Sequence, residues 1–169
     1  MARYSTRWNN SRTTMNQPEI AAVLAQIDDL KTLDVERLQS LSGLCSLESL
    51  SENSVLYREN EKTSDVYYLI SGLVEARVRI PSRDSEDCIR THKPGRLFGE
   101  TAFLDSGRRG TTSVVRERSL VLRIQGTALS SLCHQDAVIG SVMYRWLGRF
   151  AAEHSRDATI ELRNSLGNF

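Results

Sequence analysis

"GRLFGETAFLDSGRRGTTSVV", running from Gly95 to Val115, decides how the rest of the chain is read. Two apolar pairs, Leu97-Phe98 and Val114-Val115, enclose glycines, the carboxylate of Glu100, the adjacent arginines Arg108 and Arg109, and the hydroxyls of Thr111, Thr112 and Ser113. Gly99 permits a close backbone approach, and "ETAFLD" is long enough for one or two helical turns whose first N–H groups point outward. Backbone amides at a helix start and the fork of an arginine are what an anion such as phosphate needs. Glu100 does not fit a bare phosphate, which it would repel. It fits a ligand that carries a hydroxyl beside its phosphate.

Around this loop, Ser54 to Gln125 reads as short β-branched or aromatic runs: "SVLYR", "DVYYLI", "LVEARVRI", "CIRTH", "TTSVV" and "SLVLRI". Leu73-Glu75-Arg77-Arg79 alternates with Val74-Ala76-Val78-Ile80, so one face is buried and the other is wet. Turns are expected at Asn53, Asn60, Ser71-Gly72, Pro81 to Asp87 and Pro94-Gly95. Many short strands at this spacing predict a sandwich or barrel. Upstream, Ile20, Val23, Leu24, Ile27 and Leu30 recur at three- and four-residue steps, the face of a helix with Pro18 in its first turn. A second helix starts on Asp34 as N-cap and carries Leu38, Leu41 and Leu44. Downstream, "GTALSSLC" forms one or two turns. A long amphipathic helix then runs from Gln135 to about Leu162, with Ile139, Val142, Met143, Trp146, Leu147 and Phe150 on one face.

Composition bounds the function. The 169 residues hold 22 basic and 21 acidic side chains, net +1, with 40% hydrophobic and 25% charged residues. That is one globular domain with no general pull toward nucleic acid or anionic membrane. No apolar run approaches the roughly 20 residues of a membrane span. Cys45, Cys88 and Cys133 are odd in number and widely spaced, which favours a reducing, cytoplasmic setting. Residues 1–17 hold three arginines and no acid, and read as a disordered basic arm, with an organelle transit peptide as the alternative. His92, His134 and His154 lie far apart in sequence, so no metal site is expected. No glycine-flanked nucleophile elbow occurs, and no enzymatic activity is expected.

Gly-Glu, a short helix, an arginine nine residues after the glutamate, hydroxyl residues and a valine-rich strand together resemble the phosphate-binding cassette of cyclic nucleotide-binding domains. "SENSVLYRENEKTSDVYYLISGLVEARV" (51–78) is similar to that family's opening hairpins, and the resemblance covers about Leu33 to Phe150. It implies an antiparallel double-stranded β-helix, or jelly-roll barrel, with N-terminal helices at 18–50. The barrel would occupy 51–126, with its cassette at 98–113, and helices would fill 127–169. Gly99, Glu100 and Ala102 match the family's Gly-Glu-x-Ala, with Thr101 at a usually aliphatic position. The implied ligand-binding set is Phe98, Gly99, Glu100, Thr101, Ala102, Arg109, Gly110, Thr111 and Thr112. Glu100 would hold the ribose 2′-OH, backbone amides the phosphate, and Arg109 would pair with its charge.

Two registers are open. Counting forward from Glu100 puts Arg109 in the arginine position, whereas counting back from Val114-Val115 puts Gly110 there. Arg108 also replaces the family's usual proline, and Asn53 and Asn60 replace turn glycines. The resemblance implies a sensor domain for cAMP or cGMP that moves its C-terminal helix, with no other cofactor. The alternative is a degenerate domain acting in protein interaction or dimerisation. Trp146, Tyr144 and Phe150 read as core or dimer seam, with capping of a base as the other role. A catabolite-activator-type regulator would continue from the long helix into a helix-turn-helix; the sequence ends at Phe169, so no nucleic-acid partner is expected. The C-terminal helix could instead serve a homodimer or an effector domain.

Overall fold

The computed structural model describes residues 17–82 and 85–167. The expected basic arm lies outside them apart from Gln17, where α1 (Gln17–Leu24) begins. A 3-10 turn (Asp28–Leu30) and α2 (Val35–Ser42) follow. The strands are β1 (Cys45–Leu50), β2 (Val55–Tyr57), β3 (Val66–Ile80), β4 (Ser85–His92), β5 (Leu97–Phe98) and β6 (Thr112–Ile124). The helix α3 (Glu100–Leu104) sits between β5 and β6, and α4 (Gly126–Gln135) and α5 (Ala137–Leu166) follow β6.

All pairings are antiparallel: the sheet runs β1-β6-β3-β4, with β2 also on β6 and β5 also on β3. The jelly-roll class and its flanking helices are those the sequence implied, but the sheet stays open rather than closing into a barrel. β1 is a strand inside the 18–50 range expected to be helical. It pairs along its whole length with Ser119–Ile124 of β6, a long-range partner that no local pattern announces. The expected turn at Ser71-Gly72 is instead a kink inside the continuous β3. Gly72 has φ +94°, and the register with β6 shifts on both sides of it. A Cβ there would lie 2.3 Å from Ser119 Oγ, so the strands approach too closely for any side chain.

The N-terminal helical face is also interrupted. Ile27 is extended (φ −78°, ψ 117°), yet it remains buried beside Leu24 and Leu30. Asp34 caps α2 as predicted, accepting from Arg37 N at 2.9 Å. Asn53 and Asn60 both take φ +66°, the left-handed backbone that asparagine tolerates best after glycine.

The C-terminal region divides at Asp136. Its carboxylate accepts from Val138 N (2.9 Å) and Ile139 N (3.1 Å) and from Arg37 Nε (2.9 Å), so it starts α5 and ties it to α2. Those backbone donors, that of Ile139 foremost, hold the Asp136 carboxyl below its ordinary range. Ile139, Met143, Trp146, Leu147 and Phe150 then bury one face of α5, which packs on α4, α3, the 3-10 turn and β5 within the main core. A second, smaller core of Tyr57, Tyr67, Leu69, Val74, Phe98, Val115 and Val121 lies within the strands, under the cassette loop.

Candidate functional site

Gly99 turns the chain from β5 into α3. Its φ is +79°, and a Cβ would meet Arg109 Nη1 at 2.8 Å and the Asp65 carbonyl oxygen at 3.2 Å. Gly99→Ala is therefore expected to lower stability by about 1–2 kcal/mol, the cost of a side chain in the left-handed region. A urea melt at the wild-type level would refute the claim that this turn is sterically closed. The same turn aims the Gly99 carbonyl at the arginine rather than at solvent.

Arg109 is 2% exposed. Its Nε donates to Thr63 Oγ1 (2.9 Å), Nη1 to the Gly99 carbonyl (2.8 Å) and Nη2 to the Asp65 carbonyl (2.7 Å). The guanidinium carbon lies 4.1 Å from the Tyr57 ring centroid, a cation–π distance. The backbone of the same residue is pinned on both sides of its peptide: Arg109 N donates to Glu61 O (3.0 Å), and Arg109 O accepts from Asn60 N (2.8 Å). Of the two open registers, the structure turns Arg109 inward. Nothing lies within 4 Å of where a Gly110 Cβ would stand, and Arg108 stays at the surface on the Asn60 carbonyl (2.8 Å). Among the described residues, three of the five guanidinium N–H groups find a protein acceptor and two do not.

Asp65 works at both ends. While its carbonyl receives Arg109, its carboxylate accepts from Arg123 Nε (2.8 Å) and from Gly126 N at the start of α4 (2.9 Å). Burial raises the Tyr57 phenol above its ordinary value, and the neighbouring Arg109 charge pulls against that rise.

The other wall is built around Glu100, 2% exposed. The Nδ1–H of His154, from α5, donates to Glu100 Oε1 at 2.9 Å. The His92 ring stands 5.5 Å from that of His154 and stacks on Phe98 at 4.7 Å. Burial first, then the charges of His154, Arg90 and Arg96, pushes the His92 imidazole down to about 3, so it is neutral near pH 7. Two histidines distant in sequence thus meet beside a carboxylate. Among the described residues, however, no group of three His, Cys, Asp or Glu side chains could hold a metal ion.

Between the two walls is a cavity of about 260 Å³. Of the implied ligand-binding set, Phe98, Gly99, Glu100, Thr101, Ala102, Arg109, Gly110 and Thr111 line it. Thr112 does not: it is 3% exposed, and its Oγ1 accepts from Glu59 N at 3.1 Å, holding the loop after β2. Sequence reasoning missed Tyr57, Arg90, His92 and His154, all of which line the cavity. Of these only His154 carried a signal, because it continues the apolar stripe of α5 four residues beyond Phe150. Trp146 and Phe150 are core residues, 1% and 2% exposed, and Tyr144 is 43% exposed. Chemically, the cavity offers spare guanidinium N–H groups and the uncapped first-turn amides of α3 on one side. A buried carboxylate acceptor stands on the other.

No curated protein matches the chain in sequence. A cyclic nucleotide-binding domain from Methylobacillus flagellatus KT is similar in fold, with TM-score 0.74 at 16% identity over 88% of this chain and 83% of that one. So is the regulatory domain of Toxoplasma gondii PKA, crystallised with cAMP (TM-score 0.67, 17% identity, 81% of this chain); the present chain spans only 50% of its length. The sensor domain of the transcriptional regulator DNR from Pseudomonas aeruginosa gives TM-score 0.66 at 19% identity, over 83% of this chain and 93% of that one. At such identities the likeness is one of fold. The family model for the cyclic nucleotide-binding domain matches residues 47–136, more than half of the sequence, and the chain belongs to that family.

Proposed function

We propose that this chain is a non-enzymatic, cytoplasmic sensor domain that takes cAMP or cGMP into the 260 Å³ cavity and reports binding through α5. The observation that carries the reading is Arg109: a buried guanidinium held by three protein acceptors, with two N–H groups to spare, above the first turn of α3. The cyclic phosphate would take those donors and the α3 amides. A ribose hydroxyl would donate to Glu100. Output follows only where ligand interacts differently with two positions of α5. A cysteine set with no disulfide suits a reducing compartment.

Calorimetric titration of the chain with each nucleotide is the test, and saturable binding of at least one is expected. No heat of binding up to high micromolar ligand would sink the proposal. A second reading, an interaction or dimerisation module that binds no ligand, draws on the fact that Glu100 is already satisfied by His154. It also draws on Ile160, Leu162 and Leu166, which are 47%, 59% and 66% exposed on α5. It predicts a silent titration together with self-association in sedimentation.

A further inference from the structure

The apolar grip on α5 ends at Phe150. Ile139, Gly140, Met143, Trp146, Leu147 and Phe150 are buried, whereas every residue from Ser155 to Gly167 is exposed. Between these two stretches, the turn at 151–154 is held by polar contacts. His154 donates to Glu100; the His154 carbonyl accepts from Arg90 Nη2 of β4 (2.9 Å); Glu153 binds Arg96 and accepts from Arg149 Nη1 (2.8 Å). The His154 side chain is 14% exposed and closes the cavity over a carboxylate that is 2% exposed. What remains, about 260 Å³, falls below the roughly 300 Å³ at which ligand pockets begin.

We propose that His154 is a tethered competitor for the Glu100 carboxylate, so that a ligand entering the cavity must displace the 151–154 turn of α5. The idea rests on the cyclic-nucleotide reading of the site. Glu100 Oε1 already accepts from the imidazole N–H and, at 3.4 Å, from Thr101 Oγ1, so a further donor at this oxygen has to take the place of the imidazole. A ribose hydroxyl offers the same donor. Exchanging one for the other leaves Glu100 satisfied, which a buried acceptor requires. It leaves His154 without its partner, however, and no buried apolar side chain beyond Phe150 holds that part of the helix down. The apparent affinity is then the intrinsic affinity reduced by the fraction of molecules with the turn lifted.

The test pairs cAMP and cGMP titrations of the full chain, wild type against His154→Ala, with amide hydrogen exchange of residues 151–166 in the ligand-free proteins. Removing the imidazole is expected to tighten binding about fivefold or more and to speed exchange in that segment. Alanine suits a helix interior, so the variant keeps its helix. Glu153→Ala cuts the same tether outside the cavity and is expected to act in the same direction, less strongly. If wild type binds and neither variant binds tighter, the competitor is overturned while the sensor reading survives. If none of the three binds either nucleotide, the sensor reading fails and exchange decides the tether: faster exchange in His154→Ala upholds it, unchanged exchange overturns it.

Discussion

Replacing Arg109 with alanine is expected to weaken cyclic-nucleotide binding by at least about a hundredfold and to lower stability by on the order of 3 kcal/mol. The affinity loss follows from two charge-assisted hydrogen bonds at roughly 1.5–3 kcal/mol each, with about 1.4 kcal/mol per factor of ten. The stability loss has another origin. The Gly99 and Asp65 carbonyls and the Thr63 hydroxyl all accept from this one guanidinium, and its plane covers Tyr57. Buried acceptors that lose their donor cost about 1–3 kcal/mol apiece, less where water enters the space. Arg109→Lys separates the two effects. It retains a charge, but a single ammonium cannot serve three diverging acceptors as the planar fork does. The lysine variant should therefore keep part of the stability and little of the affinity. Urea melts and calorimetry on the three proteins check this, and an alanine variant that melts and binds like wild type would remove Arg109 from the site.

The second large effect is acid sensitivity. His92 is 4% exposed, and its imidazole is pushed down to about 3 from an ordinary 6.5. Between those values the unfolded chain binds a proton that the folded one refuses. Stability from this group is thus fully present above pH 6.5, falls as pH drops through that value, and levels off only below about 3. At about 1.4 kcal/mol per unit, the drop from pH 6.5 to 5 amounts to roughly 2 kcal/mol, in a window where carboxylates still contribute little. His92→Phe, which keeps a ring against Phe98, should abolish that part of the slope. Urea midpoints for both proteins at pH 7, 6 and 5 give the comparison. Parallel curves would mean that His92 is not the buried neutral group described.

Much of this molecule is legible from local chemistry. Asp34 reads as a cap because its carboxylate answers a backbone amide three residues on. Asn53 and Asn60 read as turns because few residue types accept φ +66°. The stripe from Ile139 to Phe150 reads as a buried helix face because its spacing is helical. The cassette is legible for the same kind of reason, since most of its parts lie between Phe98 and Thr111. What stayed hidden depends on partners far away in the chain. β1 is a strand only because β6 lies beside it, and the kink at Gly72 exists because Ser119 crowds it. Arg109 is held mostly by carbonyls, which every residue carries and no sequence pattern displays. His154 meets Glu100 across 54 residues of sequence, through a helix whose angle of approach is set by Asp136 and the core.

Trp146, Phe150 and His154 follow one another at four-residue steps on α5, so one rigid face reaches from the protein interior into the cavity. The indole at one end is 1% exposed, with its Nε1 paired to nothing among the described residues and its ring 5.8 Å from that of Tyr68. In spectroscopic terms the helix carries its own chromophore. A rotation of α5 as a whole carries the indole with the imidazole and changes its emission, whereas a lift confined to 151–154 leaves Trp146 in the core. In a Trp8→Phe background, the emission of Trp146 therefore tells the two motions apart.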